Sequence, residues 1–184
     1  MNRRTFLAAA ATGMAQAACG SRLALAETGP QQRPNIIFFM TDDQGPWAWG
    51  PGGHPDARTP NMDRIRREGA LLQEYFVTCP VCSPARASVM TSRYPLELNI
   101  PDYLRTSALE YGLDQAVPVW PRLLQEAGYR TALIGKWHLG ELDRHLPRHF
   151  GYDVFKGFRH GPGSSKDPVV EVEGEQHKMT GFTE

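Results

Sequence analysis

The side chains best suited to chemistry fall in short clusters: Asp42-Asp43, Cys82-Ser83-Pro84-Ala85-Arg86 and Lys136-Trp137-His138. Adjacent carboxylates repel one another unless a hard cation or basic groups neutralise them, so a divalent ion with oxygen ligands is the natural partner of Asp42 and Asp43. Arg86, Lys136 and His138 supply basic groups for the other half of a pocket. A cation on one side and basic side chains on the other suit a doubly charged tetrahedral group bound between them. Cys82 is the nucleophile candidate, and its spacing from Cys79 leaves a C-x-x-C disulfide or redox pair as the competing reading. Zinc would need two more ligands, and the sequence has no second C-x-x-C.

The elements that must position these residues read as alternating strands and helices. Asn35 to Met40 is a continuous β-branched and aromatic run, expected as a strand covered on both faces and ending at Asp42-Asp43. Gly45 to Gly53 is a loop. Thr59-Pro60 supplies an N-cap and a first-turn proline, Met62 and Ile65 a short apolar face, and Gly69 a stop. Leu71 to Val77 reads as extended. Ser83-Pro84 opens a second helix with Cys82 at its positive end. Val119 to Ala127 reads as a third helix, with Trp120, Leu123, Leu124 and Ala127 on one face and Gly128 as its stop. Tyr129 to Ile134 is then a strand that delivers Lys136 and His138. From Gly161 onward the composition points to no regular element beyond a short Val169-Val170 pair. The class is α/β, with a mainly parallel or mixed sheet between helices, in which ligands gather beyond the carboxyl ends of strands. His54, His145, His149, His160 and His177 lie outside any motif and read as surface or loop residues. Trp47, Trp49 and Trp137 fit either core packing or a substrate wall.

Twenty basic and twenty acidic residues cancel, and no basic stripe points to nucleic acid or an anionic membrane. The N-terminus, Asn2-Arg3-Arg4-Thr5-Phe6-Leu7 followed by an Ala-rich run, reads as a twin-arginine type signal peptide over 1–26, with a cleavage site at Ala24-Leu25-Ala26. Its apolar run falls short of the about 20 residues a bilayer span needs. The expected product is exported, periplasmic or secreted, with no stable membrane insertion after cleavage. Gln16, where a lipobox carries an aliphatic residue, argues against a lipid anchor on Cys19. At 184 residues the chain is short for a site built from several strand ends, so residues 34–184 read as the N-terminal part of a catalytic domain. A partial sheet is expected to expose apolar faces and to melt with weak cooperativity.

Cys82-Ser83-Pro84-Ala85-Arg86 resembles the Cys-x-Pro-x-Arg signature of type I sulfatases, and Gly128 through His138 resembles their second signature. Asn35 to Gln44 and Thr59-Pro60-Asn61-Met62-Asp63 are similar to the segments that open the same domain, so the resemblance runs from about Pro34 to about Asp153. It implies an alkaline phosphatase-like α/β core and a sulfuric ester hydrolase. A separate formylglycine-generating enzyme would oxidise Cys82 to Cα-formylglycine. The hydrated aldehyde would attack the sulfur of a sulfate ester and then collapse to release inorganic sulfate, of which a serine could do only the first half. By the same resemblance Asp42, Asp43 and the residue at 82 would hold Ca²⁺, with Mg²⁺ or Mn²⁺ as alternatives. Arg86 and His138 would orient and polarise the diol, and Lys136 would neutralise sulfate oxygens. Ser92 stands where the family usually has glycine. The family's remaining metal ligands, and a His and a Lys near the leaving group, belong to a later half not found in this chain. The resemblance leaves two alternatives: a formylglycine-dependent phosphodiesterase or phosphonate monoester hydrolase, and a truncated, non-catalytic product. Which sulfate ester is the substrate is not written in the signatures.

Overall fold

In the computed structural model the described residues are 33–105, 110–161 and 166–181. The expected signal peptide, with Cys19, lies outside them. The chain divides into two units, Met1–Thr41 and Asp42–Glu184. In the first, residues 33–41 form no strand, and Ile37 and Phe39 are 88% and 86% exposed. The expected strand over Asn35–Met40 is therefore corrected. Its residues suit a buried strand, but a strand exists only as part of a ladder, and this run enters none among the described residues.

The second unit contains helices α1 (Pro60–Glu68), α2 (Cys82–Thr91) and α3 (Trp120–Glu126), with strands β1 (Ala132–Lys136), β2 (Val154–Phe158), β3 (Val169–Val172) and β4 (Glu175–Lys178). The strands form one mixed sheet in the order β1-β2-β3-β4. β1 and β2 are parallel, with Ala132 opposite Val154 and Lys136 opposite Phe158, and the other pairs are antiparallel. Between β1 and β2 the chain makes two 3₁₀ turns, Asp143–His145 and Pro147–Phe150. Gly135 and Gly157 face one another in the parallel pair. A Cβ at 157 would lie 1.7 Å from the Gly135 carbonyl oxygen, so this approach of two backbones admits only glycine there.

β1 starts later than the sequence suggests because Thr131 is spent on fixing the strand ends. Its N–H and hydroxyl donate to Asp153 Oδ2 at 2.7 and 3.0 Å, and the Asp153 N–H donates back to Thr131 Oγ1 at 3.0 Å. These bonds, the Thr131 N–H foremost, hold the Asp153 carboxyl below the usual carboxylate range. They tie the amino ends of β1 and β2 together and so set where the carboxyl ends emerge. The β3–β4 hairpin was not legible from composition. Its turn is Glu173-Gly174, with φ of 52° and 97°, the left-handed pair that a two-residue hairpin requires.

α1 begins at Pro60 after Thr59 and ends where the Gly69 N–H donates to Ile65 O at 2.8 Å. Its apolar face stays open, with Ile65 69% exposed. The segment Leu71–Val77 is likewise exposed and forms no strand. α2 starts at Cys82 itself and stops at Ser92, which adopts the left-handed conformation at φ 57°. α3 is shorter than expected, and Leu123 and Ala127 are exposed. It is anchored by buried Val119 and Pro121 and by the Trp120 indole N–H, which donates to Val89 O at 3.1 Å.

The core joins Ala87 and Met90 of α2 to Leu113, Val119, Trp137, Leu139, Phe150, Tyr152 and Phe155. Trp137 is a core residue: it is 2% exposed, packs against Phe150 and Tyr152, and donates from Nε1 to His145 O at 2.7 Å. Truncation of such a ring costs about 3–5 kcal/mol. His145 corrects the expectation of a surface residue. It is buried, its Nδ1–H donates to Leu113 O at 3.0 Å, and its Nε2 accepts from Arg144 Nε at 3.1 Å. With both ring nitrogens used, the imidazole closes this side of the core.

Candidate functional site

Cys82 and Arg86 occupy the first turns of α2, four residues apart and so on one helix face. Lys136 ends β1 and His138 follows it, at the carboxyl end of the parallel pair. Asp42 comes from the loop that precedes α1. The Lys136 ammonium donates to Asp42 Oδ2 at 2.8 Å, and Arg86 donates to the same oxygen at 3.1 Å. The other Arg86 nitrogen donates to the Lys136 carbonyl at 2.6 Å, which fixes the start of α2 against the end of β1. Cys82 Sγ lies 3.9 Å from Asp42 Oδ1. The structure thus gathers Asp42, Cys82, Arg86 and Lys136 from segments far apart in sequence. Partial burial pushes the Asp42 carboxyl up, but hydrogen bonds and charge from Lys136 and Arg86 outweigh it, and the net direction is down. Asp42 is therefore an anion at neutral pH.

Lys136 is not a solvated surface lysine, since its side chain is only 16% exposed. Cys79 and Cys82 are free thiols with no disulfide between them. Asp43 is exposed and makes no hydrogen bond or ion pair to this cluster among the described residues, although its backbone is left-handed at φ 53°.

His138 sits behind the cluster, 2% exposed and with φ 59°. A bulky residue in that region is strained, and such strain is commonly stored at functional sites. Its Nε2–H donates to Leu104 O at 2.9 Å, leaving Nδ1 buried without a partner among the described residues. Burial lowers its pKa. The Leu104 carbonyl opposes this, and the charges of Lys136 and Arg86 add to it. The ring is thus neutral, with its lone pair on Nδ1. Leu104, Ser83 and Gly161 complete the mounting and were not singled out in the sequence. The Leu104 N–H donates to buried Ser83 Oγ at 2.9 Å, so one loop residue ties the α2 start to the imidazole. A Cβ at Gly161 would lie 2.8 Å from His138 Cε1, so only a bare backbone closes over the ring. Ser83 lies within a motif and could have been found; a backbone contact from a loop leaves no mark in residue type.

The donor set bears on an implied divalent ion. Asp42 Oδ1 beside position 82 provides one face of a coordination shell, with Asp43 next in the chain. Calcium takes 6–8 oxygens, and no group of three or more His, Cys, Asp and Glu gathers among the described residues. The residues described fit one side of such a site.

The sulfatase family model matches residues 34–177. Human steryl-sulfatase is 38% identical over 143 residues, covering 72% of this chain and 24% of its own length. Canine N-acetylgalactosamine-6-sulfatase is 36% identical over 156 residues, covering 81% and 30%. Among solved structures, Ps i-CgsB superposes with a TM-score of 0.78 at 29% identity, over 82% of this chain and 38% of that one. BT4656 in complex with its substrate D-glucosamine-2-N,6-O-disulfate gives 0.69 at 33%, over 82% and 28%. The chain spans between about a quarter and a third of the length of the curated relatives it matches. With a mixed α/β sheet whose β1 ends in Lys136 beside the start of α2, and a family match over residues 34–177, the chain belongs to the sulfatase family.

Proposed function

We propose that this chain carries the nucleophile half of a sulfuric ester hydrolase, which releases inorganic sulfate from a sulfate ester at Cys82 after its conversion to formylglycine. The observation that supports this most is the convergence of Lys136 and Arg86 on Asp42 beside Cys82. It provides an anion and two cations around one side chain at a helix N-terminus.

The hydrated aldehyde of formylglycine would supply an oxygen nucleophile and a second hydroxyl, and Asp42 and Asp43 would hold a divalent ion that would supply charge neutralisation when bound. The chain's own residues do the rest. Arg86, held by the Lys136 carbonyl, orients position 82. The Lys136 ammonium neutralises sulfate oxygens as charge builds on them. The neutral His138 ring, held in the Nε2–H tautomer by the Leu104 carbonyl, backs the Lys136–Arg86 pair without adding a third positive charge. The Arg86 and Lys136 side chains are only 13% and 16% exposed, which strengthens their interactions.

The test is sulfate release from 4-nitrophenyl sulfate and from 6-sulfated hexosamine by protein matured in cells that carry a formylglycine-generating enzyme. Matched phosphate esters and phosphonate monoesters run beside them. Faster cleavage of the sulfates supports the reading; faster cleavage of the phosphorus esters would transfer the chain to the phosphodiesterase or phosphonate hydrolase branch. Cys82→Ser, which cannot become the aldehyde, should lose turnover, and no cleavage of either class would leave a non-catalytic product. The leader over 1–26 would carry the chain out of the cytoplasm. Recovery of a mature N-terminus near Glu27 from the periplasmic fraction would support export, and retention of residues 1–26 would not.

A further inference from the structure

Two links from the first turns of α2 brace it against the end of β1. One is direct, from Arg86 to the Lys136 carbonyl at 2.6 Å. The other runs through a loop: Ser83 Oγ accepts from the Leu104 N–H at 2.9 Å, and the Leu104 carbonyl accepts from His138 Nε2 at 2.9 Å. Ser83 is the neighbour of Cys82 in the chain and is 0% exposed. A hydroxyl at a helix start ordinarily serves the helix's own free N–H groups; this one serves a loop 21 positions away. Leu104 lies in no helix or strand, and among the described residues neither its N–H nor its carbonyl bonds another backbone group. Its side chain packs against the core, which sets its depth but not the direction of its peptide groups. That direction is set by Ser83.

The His138 ring depends on it. Nδ1 is buried without a partner among the described residues, so the ring is satisfied at Nε2 alone, through Leu104. The Gly161 backbone closes over the ring and the Tyr103 ring lies edge-on to it at 6.1 Å, contacts that enclose the imidazole without choosing its tautomer. A buried polar atom left unpaired is costly, so once the Leu104 carbonyl is free to swing away, a turn of the ring or transfer of its proton to Nδ1 competes with the arrangement seen.

We propose that Ser83 is a positioning residue: through the two backbone groups of Leu104, its hydroxyl fixes the orientation and tautomer of the His138 ring that stands behind Lys136 and Arg86. The consequence for turnover rests on the sulfate-ester reading, but the tautomer is measured without catalysis. The full chain, labelled with ¹⁵N in its histidine rings and leucine amides, is compared with Ser83→Ala and with the pair Ser83→Thr and Ser83→Val. Thr and Val have the same shape, so crowding at this buried position is common to both and only the hydroxyl differs, while Ala removes the hydroxyl without added bulk. Two-bond ¹H–¹⁵N spectra at about pH 7 should show His138 protonated on Nε2 alone in the parent chain and in Ser83→Thr. In Ser83→Ala and Ser83→Val the preference for Nε2–H should fall about tenfold, the scale of one hydrogen bond, and the Leu104 amide should exchange about tenfold faster. On matured protein, with turnover expressed per aldehyde at position 82, kcat for 4-nitrophenyl sulfate should be about tenfold lower in Ser83→Val than in Ser83→Thr with KM within about twofold, the pattern of lost orientation rather than lost binding.

A His138 spectrum that is the same in the Thr and Val proteins, or an unchanged kcat in an active Val protein, would overturn the proposal. If Val shifts the tautomer and Thr restores it while no protein, the parent included, releases sulfate, the sulfatase reading falls and the positioning of His138 stands. If sulfate release falls in Ser83→Val but the ring does not change, the sulfatase reading stands and the proposal falls.

Discussion

Lys136 and Asp42 are 94 positions apart in sequence and meet at 2.8 Å through Nζ and Oδ2. The Arg86 guanidinium reaches the same oxygen, so a single carboxylate gathers the basic groups contributed by α2 and β1. Lys136→Ala should lower sulfate release by about 100-fold, the scale of losing one preorganised charge partner of the reacting group. Its effect on stability should be under about 1 kcal/mol, because Asp42 is partly exposed and keeps Arg86. Steady-state kinetics alongside urea denaturation checks both. A large loss of stability with proportionate loss of activity would show Lys136 to be structural.

Stability should depend on pH through His138. Its folded pKa lies below the ordinary 6.5, chiefly because burial disfavours the charged ring, so the unfolded chain takes up this proton first as pH falls. The contribution is whole above 6.5 and is lost progressively as pH drops from there toward the folded value. His149, also lowered, acts in the same sense, so His149→Gln should leave part of the slope in place. Two-bond ¹H–¹⁵N spectra should find His138 neutral and protonated on Nε2 at about pH 7; an imidazolium there would contradict the assignment.

Ser92 closes α2 in the left-handed conformation that glycine adopts without penalty. Ser92→Gly should raise stability by roughly 1 kcal/mol without altering sulfate release. Denaturant midpoints at unchanged m-value give the answer, and a loss of stability would mean that the side chain makes a compensating contact.

Hydrogen exchange should divide the chain. Residues 33–41 and Leu71–Val77, with exposed apolar side chains and no strand, should exchange quickly, whereas the amides of Leu113, Trp137 and His138, bonded to Leu139, Phe158 and Arg159, should be slow. The same division predicts a broad thermal transition. A single sharp melt with slow exchange at Ile37 and Phe39 would contradict it.

Several parts of this arrangement were legible from residue types. Ser83-Pro84 marked the start of α2, Thr59-Pro60 and Gly69 bounded α1, and the charged residues following Ile134 were placed at a strand end, where the structure puts them. Features decided by partners were not. The Asn35–Met40 run carries strand-forming side chains but finds no ladder, which periodicity cannot foresee. The β3–β4 hairpin depends on Glu173 accepting a positive φ, an unusual role for that residue. His145 and the Leu104 carbonyl act through backbone contacts, which leave no pattern in residue type.

The central claim is that position 82 acts through oxygen. Mass spectrometry of the tryptic peptide Glu68 to Arg86, from protein made in cells with a formylglycine-generating enzyme, tests it most directly. An aldehyde or its hydrate at position 82, with Cys79 still a thiol, is the predicted result. An unmodified Cys82 thiol, or a disulfide joining it to Cys79, would contradict the account.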